Sequence, residues 1–214
     1  MISCVLFDFD GVIADTERSN GDYLAQALSF FGIPFTQEDR LSLIGTNGAG
    51  TLDRFLQRAD PPLTREQLAR VRERLGNTYE DSPLFPQPGL REWLRELGHQ
   101  GIRTGVVSST STKYIVTALN RMGFTGQFQV IVCGDMVKRP KPAPDSYQLA
   151  MSLLGLSPED CLAIEDSPTG IQAARAAGLQ VVGYKGGSVE QDTRKAHWEV
   201  RSFQEIPSLP PFRG

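Results

Sequence analysis

The chain has 214 residues, a formal net charge of −3 and an apolar fraction of 40%. This length allows one large core, or a core domain with a small second domain, and the composition is typical of a folded protein. The small negative charge argues against a nucleic-acid or anionic-membrane partner, and no apolar segment approaches the roughly 20 residues that span a bilayer.

The cysteines and histidines narrow the class of protein further. Cys4, Cys133 and Cys161 lie far apart in apolar segments, a pattern that predicts buried free thiols and favours the cytoplasm. The chain starts without the basic region of a signal peptide. His99 and His197 are isolated in the sequence, so we expect neither histidine catalysis nor a histidine-rich metal site.

The first predicted element is a buried strand that begins at Cys4 and runs into Asp8, Asp10 and Gly11. Alternation along a strand would send Asp8 and Asp10 to the same face. Two carboxylates at such a short separation repel each other unless a proton or a cation offsets their charge. A divalent metal with oxygen ligands, above all Mg²⁺, would provide that relief. The alternative is a plain turn at Asp10-Gly11 beside a solvated Asp8.

From Thr16 to about residue 85 the apolar spacing is helical. The predicted elements are a helix around 23–31 ended by Gly32, a helix over 38–43, a glycine-rich loop over 45–50, a helix marked by Leu52, Phe55 and Leu56, and a fourth helix from the capping box of Thr64 and Gln67 through Tyr79. Prolines near 83–88 end this part of the chain. The pattern therefore predicts a small all-helical domain over residues 16–85.

After Gly89 the pattern alternates between strands and helices. Strands are predicted over 102–107, 130–133 and 161–164 and around 181–182 and 199–200, with helices over 90–97, 112–122, 146–154 and 168–177. Such alternation predicts an α/β fold, a Rossmann-like parallel sheet with helices on both faces. We therefore expect an α/β core domain formed by residues 1–15 and 86–214.

Polar residues follow three of the predicted strands. They are Asp8 with Asp10, Ser108 with Ser109, and Glu165 with Asp166. Ligands of open parallel sheets bind beyond the carboxyl ends of the strands, so these residues are expected to form one site. Four carboxylates at one sheet edge would require a cation.

Two further segments could contact an anion. Ser108 and Ser109 precede a helix, where backbone N–H groups and hydroxyls suit a phosphate, although an ordinary N-cap gives the same pattern. Lys141 stands between Pro140 and Pro142, and the prolines would hold its charge in a fixed direction toward a phosphate and a carboxylate. A solvated basic loop is an equally good reading of that segment.

Taken in order, these motifs resemble the four motifs of the haloacid dehalogenase superfamily. They are Asp-Phe-Asp-Gly-Val at 8–12, Ser108, Lys141 and Glu165-Asp166. The helical domain resembles the first-type helical cap of that superfamily, and Gly-Val-Ile-Ala-Asp-Thr-Glu at 11–17 is similar to the β-phosphoglucomutase and sugar-phosphate phosphatase subgroup. One departure is Pro140, because relatives often carry glycine before the lysine.

The resemblance implies a mechanism and a role for each matching residue. Asp8 would attack phosphorus to form an aspartyl-phosphate, and Asp10 would protonate the leaving alcohol and then activate water. Mg²⁺ would be held by Asp8, the Asp10 carbonyl, Asp166 and, as a further or alternative ligand, Glu165. Ser108, the Ser109 N–H and Lys141 would hold the phosphoryl oxygens. The cap would close over the site, hinging near Thr16 and residues 83–88.

Within the superfamily the implied activity is hydrolysis of a small phosphorylated metabolite, a sugar or polyol phosphate. A dehalogenase lacks the second aspartate, and a phosphonatase needs a cap lysine, whereas the first lysine here is Lys113. A phosphomutase of the β-phosphoglucomutase kind remains the alternative. Its relatives use a lysine and an arginine around 44–48, where this chain has no charge, although Arg54 or Arg58 could substitute.

A non-catalytic binding protein would be expected to have lost at least one of Asp8, Asp10 and Lys141, which are all present. Substrate selectivity is expected to lie on the cap surface and at its hinge, and the chain is expected to be a monomer. The candidate selectivity residues are Thr16, Asn20, Tyr23, Thr46, Asn47 and Arg54.

Overall fold

The computed structural model describes residues 2–43 and 49–213. Its centre is a six-stranded sheet in the order β3-β2-β1-β4-β5-β6, in which every neighbouring pair is parallel. The strands are β1 (Cys4–Phe7), β2 (Arg103–Val107), β3 (Val130–Val132), β4 (Cys161–Glu165), β5 (Gln180–Tyr184) and β6 (Trp198–Val200). The α/β, Rossmann-like class predicted from the sequence is confirmed.

Strand β1 lies in the middle of this sheet, between β2 and β4. Its side chains alternate between two apolar clusters: Val5 and Phe7 pack in one, and Cys4 and Leu6 in the other. Because both faces are covered, the strand is apolar throughout. Phe7 pairs with Val106 on β2 and with Ile164 on β4, so the three central strands end together.

Four helices cover the sheet. The first cluster includes buried side chains of α6 (Leu90–His99) and α7 (Thr112–Arg121), and the second includes those of α8 (Asp145–Leu154) and α9 (Pro168–Ala176). Gly155 and Gly178, which follow α8 and α9, have the positive φ angles of helix-ending glycines. All three cysteines are buried and free, as predicted.

Five further helices lie between β1 and α6 in the described residues. They are α1 (Glu17–Phe30), α2 (Gln37–Leu43), α3 (Ala49–Leu56), α4 (Arg65–Leu75) and α5 (Thr78–Asp81). Side chains of α1, α3 and α4 form a third apolar cluster, which includes Leu28, Phe55 and Leu68. The predicted capping box of Thr64 and Gln67 is present at the start of α4.

Two sequence predictions in this part of the chain are wrong. Ala49 and Gly50, placed in a loop, begin helix α3, and residues 45–48 of that loop lie outside the described residues. The fourth helix does not continue through Tyr79, because it ends at Gly76, whose φ is 87°. The Asn77 side chain then accepts hydrogen bonds from the Tyr79 and Glu80 N–H groups and starts a separate helix.

Over the residues described, no helix is long and apolar enough to cross a membrane. The division into a core domain (1–15 and 86–214) and a helical domain (16–85) stays a prediction.

Candidate active site

The side chain of Lys141 connects two of the central strand ends. Its ammonium group donates to Asp8 Oδ1 at 2.7 Å, to Glu165 Oε1 at 2.6 Å and to the Val107 carbonyl at 2.8 Å. The side chain is only 4% exposed. Burial alone would lower the pKa of Lys141, but the carboxylates of Asp8 and Glu165 raise it above its ordinary value. The lysine is therefore charged and fixed in place by three acceptors.

Three carboxylates meet beside this lysine. Asp8, Glu165 and Asp166 each offer an oxygen, and these oxygens lie within 4.8 Å of one another. Burial, followed by the charges of Asp8 and Glu165, raises the pKa of Asp166 well above its usual range. Burial also raises the pKa of Glu165 to about 7, against the opposing effect of Lys141. The cluster holds more negative charge than one ammonium group neutralises.

The donor set of this cluster fits a hard divalent cation. All of its donors are carboxylate oxygens, which Mg²⁺ and Ca²⁺ prefer. Glu165 Oε2 is buried and accepts no hydrogen bond from the part of the chain that the structure describes. A buried oxygen without a partner is costly, and a cation would satisfy it. The acidic cluster can therefore hold a metal ion.

Two glycines make room for these carboxylates. A Cβ on Gly11 would lie 2.0 Å from Asp166 Oδ2, and its φ of 81° also favours glycine. A Cβ on Gly170 would lie 2.0 Å from Glu165 Oε2. Gly170 of helix α9 thus allows the Glu165 carboxylate to occupy its position.

Asp10 turns toward a different set of partners. Its Oδ1 accepts from Thr16 Oγ1 at 2.5 Å and from the Tyr79 hydroxyl at 2.8 Å, and its Oδ2 accepts from Thr110 Oγ1 at 3.0 Å. Burial, then the charge of Asp8, raises the pKa of Asp10, while these three hydrogen bonds oppose the rise. Asp10 is therefore held in one orientation, with its pKa above the ordinary value of an aspartate.

The predicted anion-binding serines follow β2. Ser108 is 1% exposed, and its hydroxyl accepts a hydrogen bond from the Thr110 N–H at 3.0 Å. Ser109 is exposed, and its carbonyl lies so close to Gly134 that a Cβ there would be 2.2 Å away. Both serines lie at the same sheet edge as Asp8, as predicted from the strand ends.

The predicted selectivity residues separate into two groups. Thr16 bonds Asp10, and Asn20 Nδ2 donates to the Tyr79 hydroxyl at 3.3 Å, so both belong to the site. Tyr23 is half-buried on α1, and no hydrogen bond links it to the strand-end residues in the ranges described. Arg54 donates to Thr51 and lines a groove of α2 and α3 that contains none of the strand-end residues. Thr46 and Asn47 lie outside the described residues.

Four residues of the site were not predicted from the sequence. Tyr79 and Thr110 bond Asp10, Tyr147 donates to Glu165 Oε1 at 2.6 Å, and Gln191 donates to Asp166 Oδ2 at 3.1 Å. Thr110 could have been included because it follows Ser108 and Ser109 directly. Tyr79, Tyr147 and Gln191 are not next to any of the predicted strand ends, so the sequence around them gives no indication of a site.

The sheet is parallel and covered on both faces, and its carboxyl edge carries an acidic cluster and a buried lysine. This arrangement is typical of an α/β enzyme whose carboxylates take part in the reaction. The chain belongs to the haloacid dehalogenase-like hydrolase family, whose model matches residues 5–184. The superfamily resemblance of the four motifs is thereby confirmed.

Known relatives agree with this assignment. The chain is 33% identical to the fructose-1-phosphate phosphatase YqaB of Escherichia coli over 187 residues, which cover 83% of this chain and 94% of the relative. The crystal structure of CbbY from Rhodobacter sphaeroides in complex with phosphate has a TM-score of 0.82 and 31% identity, covering 96% of both chains. A putative β-phosphoglucomutase from Thermotoga maritima has a TM-score of 0.73 and 25% identity, covering 94% of both.

Proposed function

We propose that the protein is a Mg²⁺-dependent phosphatase that hydrolyses a small phosphorylated metabolite, a sugar or polyol phosphate. The observation that carries the proposal is the position of Lys141, which bonds Asp8 and Glu165 in one acidic cluster. A carboxylate beside a buried cation at the carboxyl edge of the sheet suits attack on a phosphoryl group. The family assignment and the name of the E. coli relative support the same chemistry.

In the proposed reaction Asp8 attacks phosphorus and the alcohol leaves with a proton from Asp10. Asp10 then accepts a proton from water, which attacks the aspartyl-phosphate and releases phosphate. Lys141, Ser108 and the Ser109 N–H would hold the phosphoryl oxygens. The three donors to Asp10 would keep its carboxyl group directed at the leaving oxygen.

The proposed metal is Mg²⁺, held by Asp8, Asp166, the Asp10 carbonyl and, as a further or alternative ligand, Glu165. When bound, it would offset the charge of the carboxylates and of the phosphoryl oxygens. The all-oxygen donors and the unpaired Glu165 Oε2 support this choice.

Helices α1–α5, which lie in the predicted helical domain of residues 16–85, are proposed to form a cap over the site. Two of its residues, Asn20 and Tyr79, lie in a hydrogen-bond chain that ends on Asp10. Closure would exclude bulk water from the reacting carboxylate. The hinges are proposed near Thr16 and residues 83–88.

That the protein is a monomer located in the cytoplasm also stays a prediction.

The phosphomutase alternative is less well supported. Arg58, one of the two arginines considered for a second phosphate, is already paired with Asp39 through hydrogen bonds of 2.6 and 2.8 Å. Arg54 lies in the groove of α2 and α3 described above. Neither contacts a strand-end residue in the described ranges.

The test is a screen of sugar and polyol phosphates with Mg²⁺ that measures released phosphate. We expect release that is lost on chelation and restored by added Mg²⁺. Interconversion of glucose 1- and 6-phosphates, with a bisphosphate activator and little free phosphate, would instead establish the mutase. Full activity after exhaustive chelation would contradict the metal requirement.

A further inference from the structure

The two carboxylate oxygens of Glu165 have different surroundings. Oε1 accepts a hydrogen bond from the Lys141 ammonium group and another from the Tyr147 hydroxyl, each at 2.6 Å. Oε2 is also buried, but it accepts no hydrogen bond from residues 2–43 or 49–213. A carboxylate oxygen offers about two lone-pair sites. Both sites of Oε1 are therefore used, whereas those of Oε2 are open.

Lys141 has no N–H group left for Oε2. Each N–H of its ammonium group has an acceptor of its own, namely Glu165 Oε1, Asp8 Oδ1 or the Val107 carbonyl. The nitrogen also lies 5.2 Å from the centre of the Tyr147 ring, within the range of a cation–π contact. The lysine therefore cannot turn toward Oε2 without leaving one of these partners.

The Glu165 carboxylate is also held from the side of helix α9. A Cβ on Gly170 would lie 2.0 Å from Oε2 and 2.2 Å from Oε1, so the carboxylate lies directly on the helix backbone. If it swung away, the buried donors of Lys141 and Tyr147 would lose an acceptor, and an unpaired buried polar group is costly. Oε1 therefore stays with its donors, and Oε2 is the oxygen left for a ligand.

The Tyr147 hydroxyl is not explained by packing. Tyr147 is fully buried in the first turn of α8, and its side chain packs in the second apolar cluster. A phenylalanine there would fill the same space without burying a hydroxyl group. The O–H group of a tyrosine can donate one hydrogen bond, and this one goes to Glu165. The effect of the hydroxyl is therefore on that carboxylate.

The number of oxygens that a carboxylate offers affects which cation it favours. Mg²⁺ requires near-octahedral geometry and suits carboxylates that bind through one oxygen, whereas Ca²⁺ takes about six to eight ligands and often uses both oxygens of a carboxylate. We propose that Tyr147 is a positioning residue that leaves Glu165 only Oε2 for a cation and so favours Mg²⁺ over Ca²⁺. This role rests on the proposed Mg²⁺-dependent function and explains how the site would select its metal.

The test measures metal binding to the resting protein. Mn²⁺ suits the same carboxylate ligands, and its electron paramagnetic resonance signal reports its displacement by Mg²⁺ or by Ca²⁺. The two competitions give the ratio of the dissociation constant for Ca²⁺ to that for Mg²⁺. Tyr147→Phe keeps the ring beside Lys141 and removes only the hydroxyl. We expect this variant, with its fold checked by circular dichroism, to lower the ratio by about tenfold or more, as is typical when a partner of a metal ligand is lost.

A control and a second background identify the route of the effect. Tyr184→Phe removes a buried hydroxyl from the first apolar cluster, on the opposite face of the sheet, and should leave the ratio unchanged. In the Glu165→Gln background, adding Tyr147→Phe should also leave the ratio unchanged, because the hydroxyl acts through the carboxylate. A ratio within about twofold of the wild type in Tyr147→Phe would overturn the proposal. An equal fall of the ratio in both backgrounds would do so too.

Phosphate release, measured separately, distinguishes this proposal from the phosphatase proposal. A ratio that depends on Tyr147, without phosphate release from any sugar or polyol phosphate, would overturn the phosphatase and support the role of Tyr147. Phosphate release that needs Mg²⁺, with an unchanged ratio in Tyr147→Phe, would overturn the role of Tyr147 alone.

Discussion

The Tyr79 hydroxyl donates a 2.8 Å hydrogen bond to Asp10 Oδ1 and thereby joins helix α5 to the turn after strand β1. The Tyr79 ring also stacks on Tyr114 of α7, with ring centroids 5.5 Å apart. A residue of the proposed cap thus bonds the proposed general acid.

We expect Tyr79→Phe to lower kcat for a sugar phosphate by about two- to tenfold, the range of one hydrogen bond. Without the hydroxyl, Asp10 is less well oriented toward a leaving oxygen that needs a proton. The effect should be smaller for p-nitrophenyl phosphate, whose leaving group departs without one. Tyr114→Phe, which keeps the stacked ring, is the control. Equal losses on both substrates would contradict this role of Tyr79.

The second prediction concerns the buried ion pairs of Lys141. Lys141→Met leaves Asp8, Glu165 and Asp166 without a compensating cation, and breaking a buried pair costs about 3–5 kcal/mol. We expect a loss of that size in urea unfolding without Mg²⁺, together with loss of activity. Lys138→Met, on the exposed part of the same loop, should change stability little. A loss below about 1 kcal/mol would contradict the geometry.

A pair of glycine substitutions tests the space around Glu165. Gly98→Ala on α6 meets no atom within 4 Å and should stabilise the protein by about 0.5–1 kcal/mol. Gly170→Ala places a Cβ 2.0 Å from Glu165 Oε2. It should displace that carboxylate and weaken Mg²⁺ activation. If Gly170→Ala were as stabilising and as active as Gly98→Ala, Glu165 would not need its observed position.

The residues at the strand ends could be predicted from the sequence, because the carboxyl ends of the buried strands of a parallel sheet lie at the edge where ligands bind. The sequence therefore places Asp8, Ser108 and Glu165 at that edge, and in the structure they lie at the ends of β1, β2 and β4. Their roles in catalysis stay predictions. Tyr79 and Asp10 are 69 positions apart in the chain, and their contact depends on how α5 packs on α7. No local periodicity carries that information.

The break between α4 and α5 was missed for a related reason. Apolar spacing continues through Gly76, so the pattern alone indicated one helix. The backbone at Gly76 and the cap at Asn77 instead turn the chain. This turn begins α5, the helix that carries Tyr79 to Asp10.

The pair of Asp39 and Arg58 predicts a pH dependence of stability. Hydrogen bonds from Arg58 and then from the Thr36 N–H hold the pKa of Asp39 below its ordinary value. A carboxyl group whose pKa is lower in the folded than in the unfolded protein stabilises the fold at pH values above its unfolded pKa, about 3.9 for aspartate. This contribution is lost as the pH falls through the pKa of the folded state. The free energy of unfolding of Asp39→Asn should therefore fall less between about pH 5 and pH 2. Glu66→Gln, at an exposed pair, is the control, and equal slopes in the wild type and Asp39→Asn would refute the contribution.

The central claim is that Asp8 carries the phosphoryl group. Rapid quenching of the wild type with a ³²P-labelled substrate should trap label on the protein, and peptide mapping should place it on Asp8. Asp8→Asn should trap none and turn over no substrate, while its stability holds or rises because one repelling charge is removed. Near-normal turnover by Asp8→Asn, or label at another residue, would contradict the account.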